Sequence, residues 1–78
     1  MCLNSSRRGE ISRVIVKLED IKQEVAYIRD DEQESLDNMP ENLEGSERYA
    51  SMEQAVDNLE DAVSGIEDAI DSLNKASE

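Results

Sequence analysis

The chain has 78 residues, no Trp, Phe or His, and a formal net charge of −12. A chain of this length forms at most one small domain, and its core must be aliphatic. The 20 acidic residues far outnumber the 8 basic ones, which argues against direct binding of nucleic acid or of an anionic membrane. A single cysteine, Cys2, excludes an internal disulfide, and we interpret it as an exposed thiol on a frayed tail.

The charge is distributed unevenly along the chain. Residues 1–29 hold six basic and four acidic residues and sum to +2. Residues 30–78 hold two basic and sixteen acidic residues and sum to −14, which permits a basic or DNA-binding protein as partner. Because no long apolar run is present, we expect no transmembrane helix, no secretory segment and a cytoplasmic location.

The first predicted helix covers residues 9–37 and follows a flexible N-terminal tail at residues 1–8. Its large apolar residues are spaced 3-4-3-4-3, which is typical of a heptad seam, and Ile15 widens this stripe. The seam consists of Ile11, Val14, Leu18, Ile21, Val25 and Ile28. Glu32 takes the next seam position. There it is either solvated because the seam ends, or paired with Arg29 or Arg48 so that it sets the register.

A connection at residues 38–46 separates the two predicted helices. Pro40 disfavours helical dihedral angles at Met39, so the first helix must end just before this pair. Pro40 then begins a short helical turn, which Gly45 closes. Three apolar residues around this break are expected to cover the end of the core: Leu36, Met39 and Leu43.

The second predicted helix covers residues 47–76, with Ser46 as its N-cap in preference to a later start at Ser51. Its unbroken seam includes Met52, Val56, Leu59, Val63, Ile66, Ile70 and Leu73. Beside the seam, an alanine edge recurs every seven residues at Ala55, Ala62, Ala69 and Ala76. Helix propensity alone could account for alanines, but it sets no phase, so we favour a close-packing role.

Two helices of similar length with a short connection pack as antiparallel neighbours. The expected fold is therefore all-α, with a single domain at residues 9–78 that forms an antiparallel, coiled-coil-like two-helix hairpin. In this hairpin, residues 11–28 would face residues 56–73. Because one hairpin buries only one stripe against another, we expect two copies to form a homodimer, a four-helix bundle that also covers Ile15 and the alanine edge.

The carboxylates of the second helix lie off its apolar stripe. Acid/base catalysis needs a carboxylate that is buried or closely partnered, and these positions suggest neither. Residues 30–32 are acidic but lack the turn and the glycine of a calcium loop. The chain has no His or Cys pair for zinc and no Gly-rich phosphate loop. We therefore predict no enzymatic activity, no cofactor and no metal site.

The break and the start of the second helix carry a distinctive motif, D-N-M-P-E-x-L followed by Ser-Glu-Arg. Its residues are Asp37, Asn38, Met39, Pro40, Glu41, Leu43, Ser46, Glu47 and Arg48. With this motif, residues 36–73 resemble a group of uncharacterised small acidic helical-hairpin proteins from Gram-positive bacteria and their phages. The resemblance implies no activity.

Two functions are compatible with these features. The first is a non-enzymatic, oligomeric helical interaction module. The alternative is a phage-type acidic decoy that mimics nucleic acid and inhibits a DNA-binding host protein. Between Glu53 and Glu78 the acidic residues are spaced roughly one per 5 Å of helix, whereas duplex DNA carries one charge per about 1.7 Å. Mimicry would therefore need an oligomer that displays both second helices together.

Overall fold

The structure is a computed structural model that describes residues 5–78, and it consists of two long helices joined by a short connection. Helix α1 spans Ser5–Asp37, a 3-10 turn spans Glu41–Leu43, and helix α2 spans Glu47–Ala76. The two helices pack against each other in an elongated hairpin of 59 × 18 × 12 Å. No strand is present between residues 5 and 78. The all-α hairpin expected from the sequence is confirmed.

Helix α1 begins earlier than expected. Ser5–Arg8 are helical, although residues 1–8 had been predicted as a tail, and residues 1–4 lie outside the described part of the chain. The expected start at Gly9 relied on the poor helix propensity of glycine. A glycine inside a helix costs only about 1 kcal/mol relative to alanine, which is too little to end a helix that is supported by packing further along.

The connection follows the backbone preferences of Pro40 and Gly45. The Met39 amide donates a hydrogen bond to the Leu36 carbonyl oxygen at 3.1 Å, in the tightened last turn of α1. Pro40 then takes extended dihedral angles, with φ −59° and ψ 145°, and precedes the 3-10 turn. Gly45 has φ +87°, in the left-handed region that residues with a Cβ rarely adopt. The predicted break at these residues is confirmed.

Helix α2 is capped at both ends by local hydrogen bonds. The Tyr49 amide donates to the Ser46 hydroxyl oxygen at 3.1 Å, so Ser46 is the N-cap and Ser51 is not. Glu47 in the first turn and Lys75 in the last turn complement the helix dipole. These local signals hold the start of α2 directly after Gly45 and leave the whole heptad seam within one helix.

The side chains that α2 turns toward α1 are those predicted from its heptads. Four side chains are buried among residues 5–78, one on α1 and three on α2: Leu36, Val56, Val63 and Ile70. A second row on α2 is half-buried: Met52, Leu59, Ile66 and Leu73. On α1, the half-buried row that leads to Leu36 consists of Ile11, Ile15, Leu18, Lys22, Val25, Arg29 and Glu32.

Three predicted seam residues of α1 do not face α2. Val14, Ile21 and Ile28 are 44%, 45% and 56% exposed, so their assignment to the interface within the hairpin is wrong. The rotation of α1 explains the difference. Helix α1 instead turns the row with Ile15, Lys22, Arg29 and Leu36 toward α2, because this row buries Leu36 and lets long basic side chains lay their aliphatic stems over the core.

The three apolar residues at the break differ in how far they are buried. Leu36 is buried and Met39 is half-buried, but Leu43 is 43% exposed. Leu43 was expected to help cover the end of the core, and this prediction is wrong. The 3-10 turn is short and lies beyond the end of α1, so its last residue is carried away from the packed helices.

Candidate interaction surface

Charged side chains from both helices meet on one face of the hairpin, which we call the polar face. Lys22 Nζ lies 4.0 Å from Glu67 Oε1, across the gap between the helices. The face contains an open groove of about 500 Å³ lined by Glu19, Lys22, Gln23, Ala26, Arg29, Val63 and Glu67. A partly exposed ion pair of this kind contributes only about 0–1 kcal/mol, but it favours one orientation of each helix.

The same ion pair establishes which residues occupy the opposite face. Consecutive residues of an α-helix point about 100° apart. Ile21 therefore lies about 100° around α1 from Lys22, whose row faces α2, and Ile66 and Glu67 lie on either side of the buried row of α2 that contains Val63. Because Lys22 and Glu67 meet on the polar face, the two isoleucines must lie toward the other face.

That other face is lined by apolar side chains from both helices, and we call it the apolar face. Its members occur at seven-residue intervals from Ile21 and Ile66 and along the alanine edge: Val14, Ile21, Ile28, Leu59, Ile66, Leu73, Ala55, Ala62 and Ala69. Single exposed apolar residues are ordinary on protein surfaces, whereas a continuous apolar stripe indicates a contact surface.

The alanine edge forms the outer border of the apolar face. Ala62, Ala69 and Ala76 are exposed and Ala55 is half-buried. The three exposed alanines leave the packing of α2 against α1 to the rows of Val63 and Ile66. The small side chains leave the backbone of α2 open to close approach by another helix, because interaxial distance depends on the size of the side chains at the contact.

Glu32 does not form the pairing with Arg29 that the sequence left open. Arg29 Nε and Nη2 both donate to Asp30 Oδ1, at 3.2 and 3.1 Å. Glu32 itself is half-buried on the row of α1 that faces α2, one turn before Leu36, and Arg48 is exposed. Glu32 is therefore neither fully solvated nor paired with Arg29, and the packed row of α1 continues past it to Leu36.

The closed end of the hairpin, where the helices are joined, is rich in carboxylates that lie near Tyr49. Burial raises the pKa of the Tyr49 hydroxyl, and the negative charges of Glu53, Glu44 and Asp37 raise this pKa further. No Asp or Glu side chain is buried among the described residues. The described part of the chain also contains no group of three potential ligands placed to hold a metal ion. Chemically, this end supplies negative charge and hydrogen-bond acceptors.

Within residues 5–78, neither helix has an apolar stretch long enough to cross a membrane. No family model, curated protein or solved structure matches the chain. The resemblance to small acidic proteins of Gram-positive bacteria and their phages therefore stays a prediction.

The sequence contained a signal for the row of α1 that packs on α2. Lys22 and Arg29 lie at heptad spacing between Ile15 and Leu36, and all four share one row. Both basic side chains have aliphatic stems that can cover apolar surface. A heptad pattern built from apolar residues alone leaves out this row, because it contains Lys22 and Arg29. Such a pattern predicts the more apolar row of Ile21 as the packed one.

Proposed function

We propose that this chain is a non-enzymatic, cytoplasmic helical interaction module that acts as a homodimer, in which two hairpins pack through their apolar faces into a four-helix bundle. The observation that carries this proposal is the exposure of Val14, Ile21 and Ile28 along one face, at 44%, 45% and 56%. Complete burial of such a side chain stabilises a protein by about 1.5–3 kcal/mol, and much of this remains unrealised in a single hairpin.

The dimensions of the apolar face suit a dimer. Helix α2 has 30 residues and is therefore about 45 Å long. With a hairpin width of 18 Å, the face offers about 800 Å², which is close to the area that each partner buries in a standard protein interface. The alanine edge lets the second hairpin approach closely along α2.

Two valines on α1 provide a matched test of this proposal. Val14 lies on the apolar face, whereas Val16 is 60% exposed and points away from it. We expect Val14→Lys to weaken dimerisation at least 100-fold, because a lysine in the interface must lose its hydration. Val16→Lys should leave the dissociation constant within about threefold, since its side chain stays in water.

Sedimentation equilibrium of both variants and the parent chain measures the dissociation constants. A parent chain that is folded and monomeric at 100 micromolar, on the order of the weak-complex range, overturns the proposal. Equal effects of the two substitutions also overturn it, because the two valines differ only in the face they occupy. Circular dichroism at the same concentrations reports whether each variant keeps its helices.

The acidic decoy is the second candidate function, and exposed carboxylates along α2 favour it: Asp57, Glu60, Asp61, Glu67, Asp68 and Asp71. The contact of Lys22 with Glu67 interrupts this acidic surface on the polar face and weighs against mimicry. A basic or DNA-binding partner captured from the native host separates the two functions. Competition by DNA for that partner supports the decoy, and indifference to DNA supports the module.

A further inference from the structure

We infer that the second copy packs in the antiparallel sense, so that the closed end of each hairpin lies against its partner's open end, at which α1 begins and α2 ends. This inference rests on the proposed dimer and specifies its symmetry axis. Two identical hairpins stacked through one face can place their closed ends together or at opposite ends, and both arrangements are two-fold symmetric. Two features of the molecule bear on this choice: the distribution of charge favours the second arrangement, and the apolar stripes are compatible with it.

The first feature is the distribution of charge along the hairpin. The closed-end half, residues 22–66, has three basic and thirteen acidic residues and a net charge of −10. The open-end half, residues 5–21 and 67–78, has five basic and seven acidic residues and a net charge of −2. The fold therefore concentrates most of the negative charge of the chain at one end.

The two arrangements distribute this charge very differently. With the closed ends together, the dimer carries −20 at one end and −4 at the other, whereas the antiparallel dimer carries −12 at each end. Packed helices are separated by about 8–10 Å, which is comparable to the Debye length of about 8 Å at physiological ionic strength. Screening between the two hairpins is therefore incomplete, and repulsion disfavours the arrangement with closed ends together.

The second feature is the symmetry of the apolar stripes. The stripe on α1 is centred on Ile21, with Val14 and Ile28 seven residues to either side. The stripe on α2 is centred on Ile66, with Leu59 and Leu73 placed in the same way. A two-fold axis that crosses a helix at right angles maps a stripe onto itself only if the axis passes through the centre of that stripe.

The two centres lie close to the same level of the hairpin, within about 3 Å along its axis. Lys22 and Glu67, the residues that follow Ile21 and Ile66, are in contact at 4.0 Å. One perpendicular axis near this level therefore places each stripe close to its own image in the partner. In the resulting dimer, Ile21 packs on the partner's Ile21 and Val14 packs on the partner's Ile28. With the closed ends together, the α1 stripe would instead face the partner's α2 stripe at the same level, so the stripes permit both arrangements and the charge distribution selects between them.

Distances between spin labels test this arrangement. Asn42, in the exposed 3-10 turn, takes the test label as Asn42→Cys in a Cys2→Ser background. Residue 42 lies about 25–30 Å from the level of Ile21 along the hairpin, so the antiparallel dimer separates two such labels by about 50–60 Å. Closed ends together would place them within about 30 Å.

A second label at the level of the proposed axis serves as the control. Gln23→Cys in the same background is exposed and lies within about 40 Å of its counterpart in either arrangement. A short distance at both positions overturns the antiparallel inference and leaves the dimer intact. Absence of any intermolecular distance at both positions overturns the dimer itself, and with it this inference. A long distance at residue 42 with a short one at residue 23 supports both.

Discussion

Replacing Ile21 by alanine should separate the stability of the dimer from that of the hairpin. In the isolated hairpin, Ile21 is 45% exposed, so about half of its burial remains to be gained on association. Since complete burial of an isoleucine side chain contributes about 1.5–3 kcal/mol, that remaining half amounts to about 1 kcal/mol per copy. Two copies meet at the proposed axis, so Ile21→Ala should cost the dimer about 2 kcal/mol, a roughly 30-fold increase in dissociation constant.

Two other alanine substitutions define the specificity of this effect. Val16→Ala changes an exposed side chain off the apolar face and should leave the dissociation constant unchanged. Ile70→Ala removes a buried core residue and should destabilise the hairpin by about 2–5 kcal/mol at every protein concentration.

Sedimentation equilibrium gives the dissociation constants, and urea unfolding at several protein concentrations gives the stabilities. The reasoning is refuted if Ile21→Ala leaves the dissociation constant within threefold of the parent value. It is also refuted if the loss in Ile21→Ala is independent of concentration, since that result would place the side chain in the core of the hairpin.

Two further predictions concern the connection and the closed end. Gly45→Ala should lower the free energy of unfolding by about 1–2 kcal/mol, because φ is +87° there. Gly65→Ala should raise the free energy of unfolding by up to about 1 kcal/mol, because Gly65 lies within α2 and a Cβ there meets open space. Urea unfolding of both variants checks the contrast. In a Tyr27→Phe background, absorbance titration should give Tyr49 a pKa above its ordinary 10.0, and Glu53→Gln should lower that pKa. Because the pKa is raised in the folded state, the associated stability is complete below pH 10.0 and is lost as the pH rises through the folded-state pKa. An unchanged Tyr49 titration on unfolding in urea would contradict this assignment.

Local sequence signals accounted for the elements whose causes are themselves local. Pro40 and Gly45 act through their own backbone dihedral angles. Ser46 caps α2 because its hydroxyl oxygen accepts a hydrogen bond from the amide of Tyr49, three residues later. The same holds for the heptads of α2, whose apolar rows leave a single choice of buried face. Gly9 was the exception, because packing along the rest of α1 outweighed its weak helix propensity.

The amino-acid sequence by itself determined that this chain forms two helices with a break between them, because periodicity, caps and turn residues act over a few positions. It did not determine which row of α1 faces α2. The rows of Ile21 and Lys22 are neighbours on α1, and which of them faces α2 depends on the burial of Leu36 and on the contact of Lys22 with Glu67, which is distant in sequence. Only the tertiary structure decides the rotation of α1, and through it the exposure of the apolar face, since that rotation follows from contacts between helices.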